Sequence, residues 1–303
     1  MQIVNTAKPI TAEENEAYIR QLCQAYPFCI SETIAETAYG RPVQTLEFGT
    51  GERKILLSAS HHANEWITSL VLLKYAEDLF AQAVQTPELL DRATVIMVPM
   101  VNPDGVDLVT GAIVPGSIPY EAALRLSENY PDIPFPSGWK ADLQGVDLNL
   151  QYPAGWLQAR EIKFGQGFTK PGPRDYVGRA PLTQAEAQAM AELTREFDPA
   201  VVVAFHSQGE LIFWQFRDIE VPGARELGEA MAEASGYVLS ETPYNSSFAG
   251  YKDWFIQEYR RPGYTVEVGR GTNPLPIEQF DEIYRSCKRL LDVVIFGGST
   301  MAE

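Results

Sequence analysis

The sequence predicts one α/β domain, built on a mixed, mostly parallel twisted sheet with helices on both faces. Short apolar runs rich in β-branched residues alternate with longer segments of helical periodicity, which is typical of such sheets. The 303 residues are 45% hydrophobic, which is sufficient for a large core. No internal repeat or linker divides the chain, so residues 1–303 are assigned to one unit. The predicted strands are residues 55–60, 94–100, 200–207 and 264–268.

Five predicted helices complete the domain, at residues 11–26, 67–83, 183–197, 224–234 and 277–295. Two of them open with T-x-x-E, Thr11 with Glu14 and Thr183 with Glu186, the pattern of a capping box. Residues 1–37 form an N-terminal extension and helix. Residues 102–181 are rich in Gly, Pro, Trp and Tyr and show little periodicity, which predicts a long irregular functional surface. We expect residues 297–303 to fray.

Charge and composition exclude several classes of protein. The chain has 24 Lys and Arg residues against 40 Asp and Glu residues, a net charge of -16, so it lacks the basic surface of a nucleic-acid binder. The longest apolar run, residues 200–205, is far too short to span a membrane. The N-terminus does not resemble a signal peptide, and the three cysteines form no C-x-x-C pair. These features predict a cytoplasmic protein with reduced thiols.

The histidines point to a metal site. Only three occur, and all follow predicted strands: His61 and His62 after one strand, and His206 at the end of another. The carboxyl edge of an open α/β sheet is where ligands bind. His62, Glu65 and His206 could supply the two nitrogens and one carboxylate of a catalytic zinc site. Taken alone, however, His-x-x-Glu is more often a set of satisfied polar residues at a turn.

Two acidic residues could support such a site. Glu267 interrupts an apolar strand, and a carboxylate beside a metal-activated water is the usual general base. An exposed edge strand would also explain it. Asp147 in the segment GVDLN could orient a ligand histidine, or it could simply form an Asx turn.

Together these pieces resemble the zinc metallocarboxypeptidase family, the carboxypeptidase A-like proteins. The likeness runs from about Tyr39 to about Ile295 and rests on six short motifs in the family's order. They are HHANEW, NPDG, GVDLN, FHSQG, GYKDW and TVEVG.

The resemblance implies a catalytic role for each matching position. His62, Glu65 and His206 match the ligands of one zinc ion, and Glu267 matches the carboxylate that activates water. Asp147 matches the acid that supports the first zinc histidine.

Further matches concern the substrate. Lys140 lies where the family usually places an arginine over the oxyanion, although lysine offers no bidentate fork. Asn149 matches a substrate-binding asparagine. Tyr244 is the candidate for the family's mobile substrate-binding tyrosine, with Tyr251 as the second candidate.

Departures from the family pattern concern specificity. Leu150 stands where true carboxypeptidases have the arginine that binds the terminal carboxylate, which argues against removal of ordinary C-terminal residues. Lys252 lies at the specificity position and favours an anionic group, unless it is a solvated lysine at a helix start. The chain is similar to the bacterial γ-D-glutamyl-L-diamino acid endopeptidases in HHANEWITS, WKADLQGVDLN and PGPRDYVGRAPLTQAEA. Arg174 and Lys252 could bind carboxylates of such substrates.

The leading hypothesis is a zinc hydrolase that cleaves γ-D-glutamyl-diaminopimelate bonds in anionic muropeptides. One alternative is a carboxypeptidase acting on ordinary peptides with another cation in place of the arginine. A second is an inactive zinc protein that binds peptides, and a third is a deacylase of small N-acyl amino acids. A binding protein would not require Glu267, and the long segment 102–181 disfavours the deacylase.

Overall fold

The computed structural model describes residues 2–297, which contain a seven-stranded mixed sheet between layers of helices. The strands are β1 (Thr33–Glu36), β2 (Pro42–Gln44), β3 (Leu46–Phe48), β4 (Lys54–Ala59), β5 (Thr94–Val98), β6 (Val201–His206), β7 (Leu211–Phe213), β8 (Val238–Ser240) and β9 (Gly263–Glu267). The helices are α1 (Ala12–Ala25), α2 (Ile67–Ala83), α3 (Pro103–Thr110), α4 (Ile118–Ser127), α5 (Trp156–Gly165), α6 (Ala185–Phe197), α7 (Ala224–Ser235), α8 (Tyr251–Tyr259) and α9 (Phe280–Phe296).

The central sheet confirms the predicted fold class. Its strand order is β3-β5-β4-β6-β9-β7-β8, and β1 and β2 form a separate antiparallel pair. The neighbours β5, β4, β6 and β9 run parallel, whereas β3 and β7 are antiparallel to their partners β5 and β9. All four predicted strands lie in this parallel centre, with bounds that differ by no more than two residues at either end. Their carboxyl ends therefore meet at one edge.

Successive side chains along the central strands point alternately to the two faces of the sheet, so each face has its own hydrophobic core. In β4, Ile55 and Leu57 pack into the core shared with α1, α2 and α9, while Leu56 packs into the core shared with α6 and α8. Successive side chains of a strand point to opposite faces, so these strands are mainly apolar and buried on both sides. Helices consequently cover both faces of the sheet, as predicted.

The N-terminal extension packs against this body. Ile3, Val4 and Ile10 are buried in the first core, and the backbone N–H of Ile3 donates to Glu77. Helix α1 begins with the predicted capping box: Thr11 Oγ1 accepts from the Glu14 N–H at 3.2 Å, and Glu14 accepts from the Thr11 N–H at 3.0 Å.

The second predicted capping box is wrong. Helix α6 begins at Ala185 with no side-chain cap, and Thr183 instead donates from its N–H and hydroxyl to Gln151 Oε1, at 2.8 and 2.9 Å. A tertiary hydrogen bond therefore replaces the local one. Residues 102–181 are also more regular than predicted, since they contain α3, α4 and α5.

The predicted frayed C-terminus, residues 297–303, lies outside the described residues except for Gly297. Between residues 2 and 297, no helix combines the length and apolar character needed to cross a membrane.

Candidate functional site

Three predicted metal ligands converge at the carboxyl edge of the sheet. His62 Nδ1 lies 3.0 Å from Glu65 Oε1, and His206 Nδ1 lies 2.9 Å from Glu65 Oε2. The two Nδ1 atoms are 3.2 Å apart, and all three side chains are buried. Two imidazole nitrogens and one carboxylate at such separations form a donor set suited to zinc.

A tight turn after β4 presents His62 and Glu65. Ser60 adopts a left-handed conformation with φ of 48°. Its hydroxyl shares a hydrogen bond of 2.7 Å with the hydroxyl of Ser69, and its N–H donates to Thr68 Oγ1 at 3.0 Å. Thr68 and Ser69 lie in the first turn of α2, which starts at Ile67. The strand and the helix are thereby locked together, so the intervening residues His62 and Glu65 have a fixed position.

The parallel pairing of β6 and β9 sets His206 beside Glu267. These two residues are register partners at the carboxyl ends of their strands, and both line one cavity with His62. Burial, followed by repulsion from Glu65, raises the pKa of Glu267 to about 8. A cation held by the three ligands would lower this pKa, because opposite charge favours the ionised carboxylate. Glu267 is therefore placed to exchange a proton near neutral pH.

Asp147 lies behind His62, on the side of the ring opposite the ligand cluster. Its Oδ1 is 3.1 Å from His62 Nε2 and also accepts from the Asn149 N–H at 3.1 Å. The Asx-type turn and the contact to a ligand histidine therefore coexist. Although burial raises the pKa of Asp147, His62 and Lys140 hold it well below its usual range. With this contact at Nε2, the other ring nitrogen, Nδ1, would be the one available to a metal ion held by the three ligands.

Lys140 lies close to the ligand cluster, with Nζ 3.4 Å from Glu65 Oε1. Its backbone is held on both sides, since its carbonyl accepts from the Ala63 N–H and its N–H donates to the Pro173 carbonyl. Burial lowers the pKa of Lys140, but the negative charges of Glu65 and Asp147 outweigh burial and raise the pKa above its ordinary value. The side chain therefore remains charged.

The segment NPDG links these parts. The Asn102 side chain donates to the carbonyls of Ala141 at 2.9 Å and His61 at 3.3 Å, and its Oδ1 caps α3 by accepting from the Gly105 N–H. One side chain thus joins the histidine turn to the loop that carries Lys140.

The remaining cavity walls carry the predicted substrate-binding residues with one exception. Asn149, Leu150, Arg174 and Lys252 all line the cavity. Asn149 Oδ1 accepts from the Tyr251 N–H at 3.0 Å, which ties it to the start of α8.

Lys252 is not the solvated lysine of the alternative interpretation. It is 4% exposed and its Nζ contacts Asp253 Oδ1 at 2.6 Å, the Gln215 carbonyl at 2.5 Å and Thr242 Oγ1 at 3.3 Å. Its three N–H groups are therefore occupied within the protein.

The exception is the tyrosine. Tyr244 is 67% exposed and lines an adjoining surface groove with Phe248 rather than the cavity of the metal ligands. Tyr251 is fully buried, and its hydroxyl bonds to Thr194 Oγ1 at 2.8 Å. The structure brings neither ring to the ligand cluster.

Sequence reasoning missed several residues of the site. Lys163 and Asp175 line the cavity, and Asn273 donates to Glu65 Oε1 at 3.4 Å and to the Ser207 carbonyl at 2.7 Å. Asp175 lies in the quoted segment PGPRDYVGRAPLTQAEA but was given no role, and no motif marks Lys163 or Asn273, which act through tertiary contacts. His61 lies outside the group of possible metal ligands, and its Nε2 bonds to the Tyr152 hydroxyl at 3.1 Å.

Comparisons with known proteins agree with this geometry. The family model described as zinc carboxypeptidase matches residues 15–288. The γ-D-glutamyl-L-diamino acid endopeptidase 1 of Lysinibacillus sphaericus is 44% identical over 278 residues, covering 88% of this chain and 67% of that protein. Murein peptide amidase A of Escherichia coli K12 is 34% identical over 101 residues, covering 32% of this chain and 38% of that protein.

A solved structure shows the same fold at lower identity. The carboxypeptidase A of Helicoverpa armigera superposes with a TM-score of 0.70 at 19% identity, covering 98% of this chain and 76% of that one. With a family match over most of its length and a ligand set suited to zinc, the chain belongs to the zinc carboxypeptidase family and is a zinc metallopeptidase-type hydrolase.

Proposed function

We propose that the protein hydrolyses the bond between a γ-D-glutamyl residue and a diamino acid in peptidoglycan-derived peptides. The observation that carries the proposal is one cavity lined by His62, His206, Glu267 and four cationic side chains, with the third ligand, Glu65, buried against the two histidines. The relative from Lysinibacillus sphaericus, named for this reaction, is 44% identical and supports it.

The roles in catalysis follow from position. His62, Glu65 and His206 would hold zinc, which supplies a Lewis acid that polarises a carbonyl and acidifies water. Glu267, on the neighbouring strand, takes a proton from the attacking water and delivers it to the leaving amine. Lys140 donates to the developing oxyanion, and Asp147 keeps His62 in the orientation that binds metal.

Leu150 directs the choice of substrate. Its apolar side chain lines the cavity beside Asn149, at the position where the resemblance implies a carboxylate-binding arginine. A free terminal carboxylate would lose a charge-assisted hydrogen bond there, worth about 1.5–3 kcal/mol. Carboxylates elsewhere on the substrate can instead meet Lys140, Lys163 or Arg174.

Charge supports an anionic muropeptide as the ligand. The chain carries a net charge of -16, so it repels anions at long range, whereas in this cavity four cations balance four carboxyl groups and a bound zinc ion would add positive charge. We propose a cytoplasmic role in trimming such peptides, supported by three cysteines that are free thiols. Cell fractionation with an antibody to the protein would test the location.

Hydrolysis of three peptides tests the reaction. Purified zinc-loaded protein is incubated with L-Ala-γ-D-Glu-meso-diaminopimelate, with the same peptide carrying an α-linked L-Glu, and with a peptide ending in Phe. Mass spectrometry of the products identifies the broken bond. We expect cleavage of the γ-D-glutamyl bond and little cleavage of the other two.

Other outcomes would select an alternative. Release of the terminal Phe would show a carboxypeptidase in which another cation replaces the arginine. Zinc binding without cleavage of any peptide would favour a peptide-binding protein.

A further inference from the structure

Two cations that line the cavity, Lys163 and Arg174, share the carboxylate of Asp175. Lys163 Nζ contacts Asp175 Oδ1 at 2.6 Å, and Arg174 Nε contacts Asp175 Oδ2 at 2.6 Å. All three side chains line the cavity that contains His62 and Glu267. Together the three side chains carry one positive charge in excess, so a single carboxylate from a ligand would neutralise them.

This pair keeps hydrogen-bond donors free for a ligand. Within residues 2–297, the Lys163 ammonium has Asp175 as its one ion-pair partner, and the terminal guanidinium nitrogens of Arg174 have no hydrogen-bond partner. The Arg174 side chain is 42% exposed. Two terminal guanidinium N–H groups can bind a carboxylate in a bidentate manner. Lys252 differs, because its donors are already occupied.

The backbone places this pair on the same side as Lys140. The N–H groups of Lys140 and Ala141 donate to the carbonyl of Pro173, at 2.7 and 2.9 Å, and Pro173 directly precedes Arg174. The Asp175 N–H donates to Asp147 Oδ2 at 3.3 Å. Lys252 belongs to α8, a different element. If Lys140 donates to the scissile carbonyl oxygen, as in the proposed function, the glutamyl acyl group that carries this oxygen lies on the side of the cavity that contains Arg174.

We propose that Lys163 and Arg174 bind the free α-carboxylate of the γ-linked glutamyl residue, and thereby select substrates in which this carboxylate is not amidated. The inference rests on the proposed function. In a γ-linked glutamyl residue, three carbon atoms separate the reacting carbonyl carbon from the α-carboxylate carbon, so this carboxylate remains near the reacting group. Asp175 positions both cations through its carboxylate, and its N–H connects them to Asp147, the residue that contacts His62.

Paired substrates and matched variants test the assignment. The substrates are L-Ala-γ-D-Glu-meso-diaminopimelate and its analogue with a carboxamide at the glutamyl α-carbon, which has the same size but no charge. The variants are Lys163→Gln, Arg174→Gln and Arg174→Lys, with Lys170→Gln as the control because Lys170 is exposed and lies outside the cavity. Zinc content and circular dichroism verify that each variant is folded and loaded.

We expect the unmodified protein to cleave the free carboxylate substrate with a kcat/KM about 10- to 100-fold higher than that of the carboxamide. This is the factor that corresponds to the loss of one charge-assisted hydrogen bond. Arg174→Gln and Lys163→Gln should lower kcat/KM on the carboxylate substrate and leave the carboxamide almost unaffected, which removes the preference. Arg174→Lys should restore part of it, and Lys170→Gln should retain all of it.

Three results would overturn the inference. Equal kcat/KM on the two substrates would show that the α-carboxylate is not recognised. An equal loss on both substrates in the variants would show that the cations only support the fold. A further analogue is amidated at the diaminopimelate carboxyls. If its kcat/KM falls while amidation of the glutamyl α-carboxyl has no effect, Lys163 and Arg174 contact the leaving diamino acid instead. Cleavage of neither γ-D-glutamyl substrate, with release of a terminal Phe, would contradict the proposed function itself and is thus distinguishable.

Discussion

The sheet edge and the connection formed by residues 102–181 contribute to the cavity in different ways. The edge supplies His206 and Glu267 from adjacent parallel strands, so a ladder of backbone hydrogen bonds sets their relative position. The connection supplies Lys140, Asp147 and Arg174 from loops that are held mainly by side-chain-to-backbone hydrogen bonds.

This difference separates the metal ligand and base at the sheet edge from the residues of the connection, which support the catalytic centre and bind substrate. Residues whose position is set by strand register can hold a metal and a base to the accuracy that catalysis requires. Residues on a connection can vary without disturbing the sheet, and this is where specificity is usually carried. We therefore expect all-or-none effects from substitutions at the sheet edge and graded or substrate-dependent effects from substitutions in the connection.

The largest expected effect is at the sheet edge. Glu267→Gln removes the proton acceptor but keeps the size of the side chain, so turnover should fall by about 10²- to 10⁴-fold. Zinc content should not change, since Glu267 is outside the ligand set. Peptide cleavage and elemental analysis measure the two quantities, with Glu233→Gln on the exposed face of α7 as the control. Turnover within a few-fold of the unmodified protein would remove Glu267 from the proposed mechanism.

A smaller effect is expected from the connection. Asp147→Asn removes the charge opposite His62 Nε2 but retains a polar group that can cap the turn at Asn149. Loss of such an outer partner costs about 10- to 100-fold in metal affinity or activity. Competition with a chelator measures zinc affinity. If Asp147→Asn binds zinc as tightly as the unmodified protein and is equally active, the connection contributes nothing to the metal site.

The parts of the structure that sequence predicts are those with strong local patterns. The four buried central strands are continuous apolar runs, and α2 was predicted with its observed bounds, 67–83. The resemblance to the family implied His62, Glu65 and His206 as the ligand set, and the structure brings these three side chains together. The strands β1, β2, β3, β7 and β8 have only three or four residues each, too short to show a period.

Other features depend on tertiary contacts that no local pattern contains. Thr183 has the sequence of a cap but bonds to Gln151, more than thirty positions earlier. Lys163 lies on α5, and nothing in its neighbourhood shows that it faces a cavity. Helix α3, in contrast, has recognisable ends, with Asn102 as its cap, Pro103 in its first turn and Gly111 in a left-handed conformation after its last residue.

The smallest effect on activity is expected from Glu186, which lies on α6 near Asp142 of the connection. Burial raises the pKa of Asp142 to about 7 and that of Glu186 to about 8, and each repels the other. Asp142 shapes the turn before Asp147 by accepting from the N–H groups of Gln144 and Val146. Glu186 lies at the start of α6 and needs only to remain neutral, so Glu186→Gln should leave turnover unchanged.

Stability should respond to pH instead. The folded protein retains the Glu186 proton up to about pH 8, whereas the unfolded chain releases it near its ordinary pKa of 4.5. Between these values unfolding releases a proton, so raising the pH favours unfolding and stability falls across this window. Glu186→Gln cannot titrate, and at pH 8.5 it should be more stable than the unmodified protein by an amount on the order of 2 kcal/mol, with little difference at pH 4.5. Urea unfolding at the two pH values measures this, with the exposed Glu196→Gln on the same helix as the control. An equal stability difference at both pH values would show that Glu186 does not carry the proton.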